Sequence, residues 1–246
     1  MRLQTATWPE VENYLAHSNG VIVPIGSTEQ HGPNGMLGTD AICPETIAFG
    51  VAKSMEVLIA PTLSIGQAHH HLGFPGTIAL RPSTLMSVLV DVVRSLYRQG
   101  FRHIYFLNGH GGNEATVKAA FQEIYAQSSF GDAGMSDLRL KLCNWYMTAG
   151  VGRLSKELFG DQEGSHATPS EVSLTFYAYP DEVKSTPMSP VLAPRGSIRD
   201  ADDYHAQFAD GRIGSNPALA TVAAGERLFE ASVADVLEDY GKFLSS

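Results

Sequence analysis

The sequence predicts an α/β fold. Three observations carry the prediction. Apolar runs of strand length recur along the chain, amphipathic stretches of helical period lie between several of them, and the loops after two of the runs collect glycines with acids and imidazoles. The strand-like runs cover residues 21–25, 57–65, 78–80, 103–107 and 138–145. The stretch 84–98 places Leu85, Val88, Leu89, Val92, Val93 and Leu96 on one helical face, and Gly100 closes it as a C-terminal glycine should. A similar helix is expected over 114–127. Near residue 169 another begins, with Thr168 or Ser170 as cap and Pro169 in its first turn. Residues 186–216 are rich in Pro, Gly, Ser and Asp and read as long surface loops, and 217–243 reads as a closing helix that starts at Pro217.

The 246 residues suffice for a substantial core, and no linker, repeat or low-complexity tract divides them, so residues 1–246 are expected to form a single domain. A net charge of −9 argues against a nucleic-acid partner, which needs clustered Lys and Arg. The N-terminus lacks the apolar core of a signal peptide and no window is long enough to span a bilayer, so no membrane role and a cytoplasmic location are expected. Cys43 and Cys143, far apart and without a CxxC neighbour, read as free thiols rather than as a disulfide or thiolate ligands.

The chemistry concentrates in three fragments. Glu29-Gln30-His31-Gly32-Pro33 to Asp40 follows the first apolar run; Glu29 and His31, two apart, leave an extended backbone on the same face, and Asp40 ends the loop. Asn108-Gly109-His110-Gly111-Gly112-Asn113 follows another run and repeats this strand-to-loop layout. Such ligands at strand C-terminal ends lie where open α/β sheets bind. Glu29, His31, Asp40 and His110 together offer two carboxylates and two imidazoles, a set suited to zinc, manganese or iron. Spacing alone leaves open one ion or two, and leaves a solvated turn with a helix-capping histidine as the rival. In the third fragment, His166 is a candidate proton shuttle or a histidine that only bonds backbone near a helix start, in a segment that looks exposed. Glu171 would lie in the first turn, where any acid is favoured by the helix dipole. Of the triple His69-His70-His71, neighbours on an extended chain point to opposite faces, so only His71 is expected to reach the pocket. Trp145 either walls that pocket or packs in the core. The Gly-x-Ser-x-Gly elbow of a serine hydrolase is absent around Ser27, and the Gly109 to Gly112 stretch lacks the Lys and Ser/Thr of a phosphate loop.

Five motifs in order, Pro24 to Pro33, Leu37 to Asp40, Phe74-Pro75-Gly76-Thr77, Asn108 to Asn113 and His166 to Glu171, resemble the creatininase (creatinine amidohydrolase) family. The resemblance runs from about Trp8 to the tail, through Gly211 to Gly214, Ala220-Thr221 and Gly225. It implies a three-layer α/β/α sandwich with a mostly parallel central sheet, assembled as a homo-oligomer, commonly a hexamer. It implies a centre of two divalent ions (Zn, Mn or Fe) that hydrolyses carbon–nitrogen bonds in small-molecule amides other than peptides. On this resemblance Glu29, His31, Asp40 and His110 hold the metal with Asp40 as bridge, His166 transfers a proton, and Glu171 is a recurrent acid. His71, Phe74 and Trp145 would shape the substrate pocket. The expected mechanism is attack by a water whose pKa the ions lower from about 15.7 towards roughly 7, with His166 protonating the leaving nitrogen. The chain departs from creatininase proper at Gly112, where that enzyme carries a ligand Glu, at Gln162, where a pocket Trp would align, and at Asn34, where many relatives have His. These departures point away from creatinine and towards a branch that includes formamide hydrolases. A catalytically inactive metal-binding scaffold of the same fold is the alternative.

Overall fold

The structure is a computed structural model that describes residues 1–131 and 134–246. Its helices and strands follow in the order α1 (Trp8–Leu15), β1 (Gly20–Ile25), α2 (Thr39–Ser54), β2 (Leu58–Ile59), α3 (Pro82–Gln99), β3 (His103–Asn108), α4 (Glu114–Ser129), β4 (Arg139–Asn144), α5 (Ala149–Phe159), α6 (Pro169–Ala178), α7 (Ala201–Gln207) and α8 (Val222–Leu244). The four strands form one parallel sheet in the order β2-β1-β3-β4. Parallel strands need crossovers, and helices supply them, so both faces of the sheet are covered.

Alternation along β1 and β3 divides the core into two layers. Val21, Val23, Ile25, Ile104 and Phe106 pack against Leu85, Leu89 and Val93 of α3 and Val117, Phe121 and Ile124 of α4. Ile22, Tyr105 and Leu107 face the other way, onto Ile47 and Val51 of α2, Leu174 of α6, and Leu228 and Val236 of α8. The result is the three-layer α/β/α sandwich that the sequence led us to expect. Both cysteines are free.

Several elements differ from the sequence reading, each for a physical reason. In the run 57–65 only Leu58–Ile59 joins the sheet; Pro61 has no N–H to donate, and Leu63 returns as an isolated bridge to Ile25. Residues 78–80 are no strand: Ile78 makes one antiparallel bridge to Thr28. Trp145 begins a 3₁₀ turn instead of ending β4. Pro217–Leu219 forms a separate 3₁₀ turn, and the closing helix starts only after Thr221, whose side chain caps Ala224 N–H at 3.1 Å. The 186–216 region is tied down: α7 lies within it, and Arg212, fully buried, binds Asp210 at 2.7 Å and the carbonyls of Pro190, Val191 and Ser215.

Helix α2, unforeseen from the sequence, places the site. Pro44 lies inside it and has no N–H for the carbonyl four residues back, that of Asp40. Gly26, just after β1, and Gly109, just after β3, press their backbones against that same carbonyl, where a Cβ on either would collide. Both strand ends and the start of α2 thus meet at Asp40.

Candidate metal centre

At this junction, beyond the C-terminal ends of β1 and β3, Glu29, His31, Asp40, His71 and His110 are all buried, and His166 and Glu171 close in from the start of α6. His31 Nε2 lies 3.0 Å from Asp40 Oδ1, and His110 Nδ1 lies 2.9 Å from Asp40 Oδ2. The other nitrogen of each ring faces a main-chain carbonyl, which can only accept. His31 Nδ1 is 3.1 Å from Glu29 O, and His110 Nε2 is 3.0 Å from Gln67 O. Those outer nitrogens therefore carry the protons in the neutral rings, and the nitrogens facing Asp40 are bare. A carboxylate held against two bare nitrogens is repulsive unless cations sit between them.

The same demand shows in the unpartnered atoms. Both oxygens of fully buried Glu29 and Oδ2 of Asp40 accept no well-aligned hydrogen bond and meet only imidazole nitrogens of His71 and His110, at 3.1, 3.3 and 2.9 Å, although buried charged oxygens are rarely left so. Donor atoms of Glu29, His31 and Asp40 lie within 4.8 Å of one another, close enough for one ion. The donor set fits divalent cations, with one Asp40 oxygen presented to each of two imidazoles, and outer contacts to backbone orient both rings as metal-bound histidines require.

Without cations, protons take their place. Burial alone would lower the His31 imidazole, but the charges of Asp40, Glu171 and Glu29 overcome it and push the ring up to about 10. His110 rises to about 9 in the same way, against its burial, through Glu29 and Asp40. Asp40 is pulled well below the carboxylate range: burial would raise it, but His31 and His110 dominate. Burial raises Glu171 to about 7, partly offset by His31. Burial and the neighbouring imidazoles hold His71 down to about 2 and His166 well below its ordinary value, so both are neutral.

His166 sits closer to the centre than its small neighbours imply. Ala167 beside it is fully buried with φ of +52°, and Ser215 Oγ donates to the His166 carbonyl at 2.7 Å, which turns the ring inward to place Nδ1 3.7 Å from Glu29 Oε1. Glu171 closes a capping box: its Oε1 accepts Thr168 N–H at 2.6 Å while lying 3.9 Å from His31 Nε2. The dipole-favoured position and the site position are thus one and the same. His71 Nε2 lies 3.1 Å from Glu29 Oε1, so Glu29, His71 and His166 form a second close group.

A cavity of about 310 Å³ opens on the centre and is lined by Asp40, His110, Tyr146, Glu163, His166 and Glu171 among others. His71, Phe74 and Trp145 do not line it. His71 lies behind, against Glu29; Phe74 packs on Tyr204 and His205; Trp145 is 1% exposed in the core on the α2 side, and Tyr146 takes the wall position beside it. Gly112, the position without the expected acid, is where His110 turns: a Cβ there would run into His110 Nε2 and Gln67 O. Glycine at 112 and this pose of His110 go together. Sequence reasoning missed Gln30, Tyr146, Glu163 and Tyr204. Gln30, between two ligand candidates, carried a local signal; the others reach the site through long-range contacts that leave none.

A model of the creatininase family, described as creatinine amidohydrolase, matches residues 4–239. The chain is 29% identical over 218 residues to the mycofactocin precursor peptide peptidase of Mycolicibacterium smegmatis, covering 85% of this chain and 79% of that protein. It is 30% identical over 181 residues to the 3-dehydro-scyllo-inosose hydrolase of Thermotoga maritima, covering 72% of this chain and 56% of that protein. It is 28% identical over 187 residues to the creatinine amidohydrolase of Pseudomonas putida, covering 72% and 71%. A manganese form of creatininase superposes with a TM-score of 0.84 at 24% identity over 98% of this chain and 97% of that one. With the family model spanning nearly the whole length and the sandwich shared, the chain belongs to the creatininase family.

Proposed function

We propose that the protein is a metal-dependent hydrolase that cleaves a carbon–nitrogen bond in a small amide, either a cyclic amide or a formamide. The observation that carries this is Asp40, which offers each carboxylate oxygen to a different bare imidazole nitrogen, as a carboxylate bridging two cations would. Glu29, His31, Asp40 and His110 hold the ions, and Glu171, 3.9 Å from His31 Nε2, is near enough to add a donor on the His31 side. When bound, such ions polarise a carbonyl and acidify water towards neutral pKa.

The remaining work falls to the protein. Cavity walls of about 310 Å³ hold a small substrate against the centre. Asp40, Glu163 and Glu171 line it, and no Lys or Arg does among the described residues, which weighs against a phosphate-bearing substrate. His166, neutral in its buried setting, accepts a proton at Nδ1 from the attacking water and returns it to the departing nitrogen, without which an amine leaves poorly. A homo-oligomer belongs to the same reading by family resemblance.

One observation favours a second reading, an inactive metal-binding scaffold: Gly112 supplies no side chain where creatininase proper has a ligand acid. Metal analysis followed by a screen of cyclic amides, formamides, small carboxamides and short peptides separates the two. Hydrolysis that disappears with chelation and returns with Mn²⁺ or Zn²⁺ supports the hydrolase. Stoichiometric metal with no turnover of any compound supports the scaffold.

A further inference from the structure

Two imidazoles, His71 and His166, stack with centroids 4.3 Å apart and approach the same oxygen, Glu29 Oε1. What each can do depends on which ring nitrogen carries its proton. Gln30, 5% exposed between the ligands Glu29 and His31, decides this for both.

The orientation of its amide is fixed by two groups with no choice of role. The Gly32 N–H can only donate, and lies 2.9 Å from Gln30 Oε1; the Gly211 carbonyl can only accept, and lies 2.9 Å from Gln30 Nε2. Gly211, at φ +82°, gives way to this amide, since a Cβ there would fall on Oε1. One amide proton goes to Gly211. The other has three groups in reach, His71 Nδ1 at 2.8 Å, His166 Nε2 at 2.9 Å and, farther off, the Tyr204 hydroxyl oxygen at 3.2 Å. His166 Nε2 also lies 2.8 Å from the Gln30 main-chain carbonyl, which again can only accept, so this nitrogen bears the ring proton and cannot take another. Of the two that remain, His71 Nδ1 is the nearer and takes the second amide proton; a proton of its own on that nitrogen would face the amide donor at 2.8 Å. In the neutral tautomers that these contacts select, the His71 proton is on Nε2 and the bare nitrogen of His166 is Nδ1, on the Glu29 side.

We propose that Gln30 is a positioning residue that assigns opposite roles to these two histidines. Its side chain makes His71 a proton-bearing neighbour of Glu29 and bars it from metal ligation through Nε2, while its backbone leaves His166 a bare Nδ1 for proton transfer. This rests on the hydrolase reading for its consequence but not for its test. Tyr204 of α7 joins the arrangement, donating to the Gly211 carbonyl at 2.7 Å and lying 3.2 Å from Gln30 Nε2, so the 186–216 region enters the site through Gln30.

Neutron diffraction from a deuterium-exchanged, Mn²⁺-loaded crystal reads the ring protons directly. Deuterium is expected on Nε2 of both His71 and His166 and on Nδ1 of neither; deuterium on His71 Nδ1 or His166 Nδ1 overturns the proposal. In Gln30→Glu the side chain accepts but cannot donate, so deuterium should move to His71 Nδ1 while metal per subunit equals that of the parent. The Gln30 main-chain carbonyl is retained in this variant, so deuterium should stay on His166 Nε2. An unchanged deuterium pattern at His71 in this variant, or loss of metal, also overturns it. If the parent cleaves nothing in the screen, the hydrolase reading fails and the deuterium positions still decide the role of Gln30.

Discussion

At the scale of single residues, the site works by giving each imidazole one fixed outer partner. His31 and His110 each spend a proton on a backbone carbonyl and turn a bare nitrogen to Asp40. His166 spends its proton on the Gln30 carbonyl and turns a bare nitrogen towards Glu29. Replacing His166 by Asn should leave metal content unchanged and lower kcat by roughly 10²–10⁴-fold, the usual worth of a positioned general acid–base; loss of bound metal in that variant, measured by elemental analysis, would make His166 a ligand instead. The candidate ligands were legible in the sequence because each lies in a short loop with its partner: Glu29 and His31 two apart, His110 among glycines. His71 was legible only as the member of its triple that turns inward. Its contact with Glu29 joins residues far apart in the chain, and no local pattern encodes that.

At the scale of elements, the position of each candidate ligand follows from how closely backbones approach. Gly26 and Gly109 let β1 and β3 close on the start of α2, and the missing N–H of Pro44 leaves the Asp40 carbonyl free to meet them. Helix α6, which carries Glu171 and begins beside His166, is held by α8 at Gly225, whose absent Cβ would strike the Ser173 carbonyl. Gly225→Ala should destabilise the fold by about 1–3 kcal/mol in urea unfolding, the usual cost of overpacking, despite the better helix propensity of alanine. Stability equal to or above the parent would mean the two helices can part without cost. The long amphipathic helices α3 and α4 were readable within a few residues because their periodicity is local. Helix α2 was not. It starts within the Gly- and Pro-rich ligand loop, carries an internal proline and is buried on several sides, so it shows no single apolar stripe.

At the scale of the molecule, a buried cluster of carboxylates and imidazoles, read as a metal centre, should make stability depend on metal and pH together. In the metal-free protein, His31 and His110 have folded pKa values of about 10 and about 9, above the ordinary 6.5. Protons bound more tightly in the folded state stabilise it fully below pH 6.5, and that contribution is lost as pH rises through 9 to 10. The Tm of stripped protein should therefore fall between about pH 7 and 10. Saturating Mn²⁺ or Zn²⁺ should raise it and flatten the fall, because cations replace the protons. Calorimetry at these two pH values, with and without metal, checks this; a stripped protein more stable at the higher pH would contradict it. The most direct measurement is anomalous diffraction at the manganese or zinc edge from a loaded crystal. Two peaks, one at each oxygen of Asp40 and about 3.5–4 Å apart, are predicted. A single peak, or a peak held by Glu29, His71 and His166 in place of one at Asp40, would contradict the bridging role of Asp40 on which the account rests.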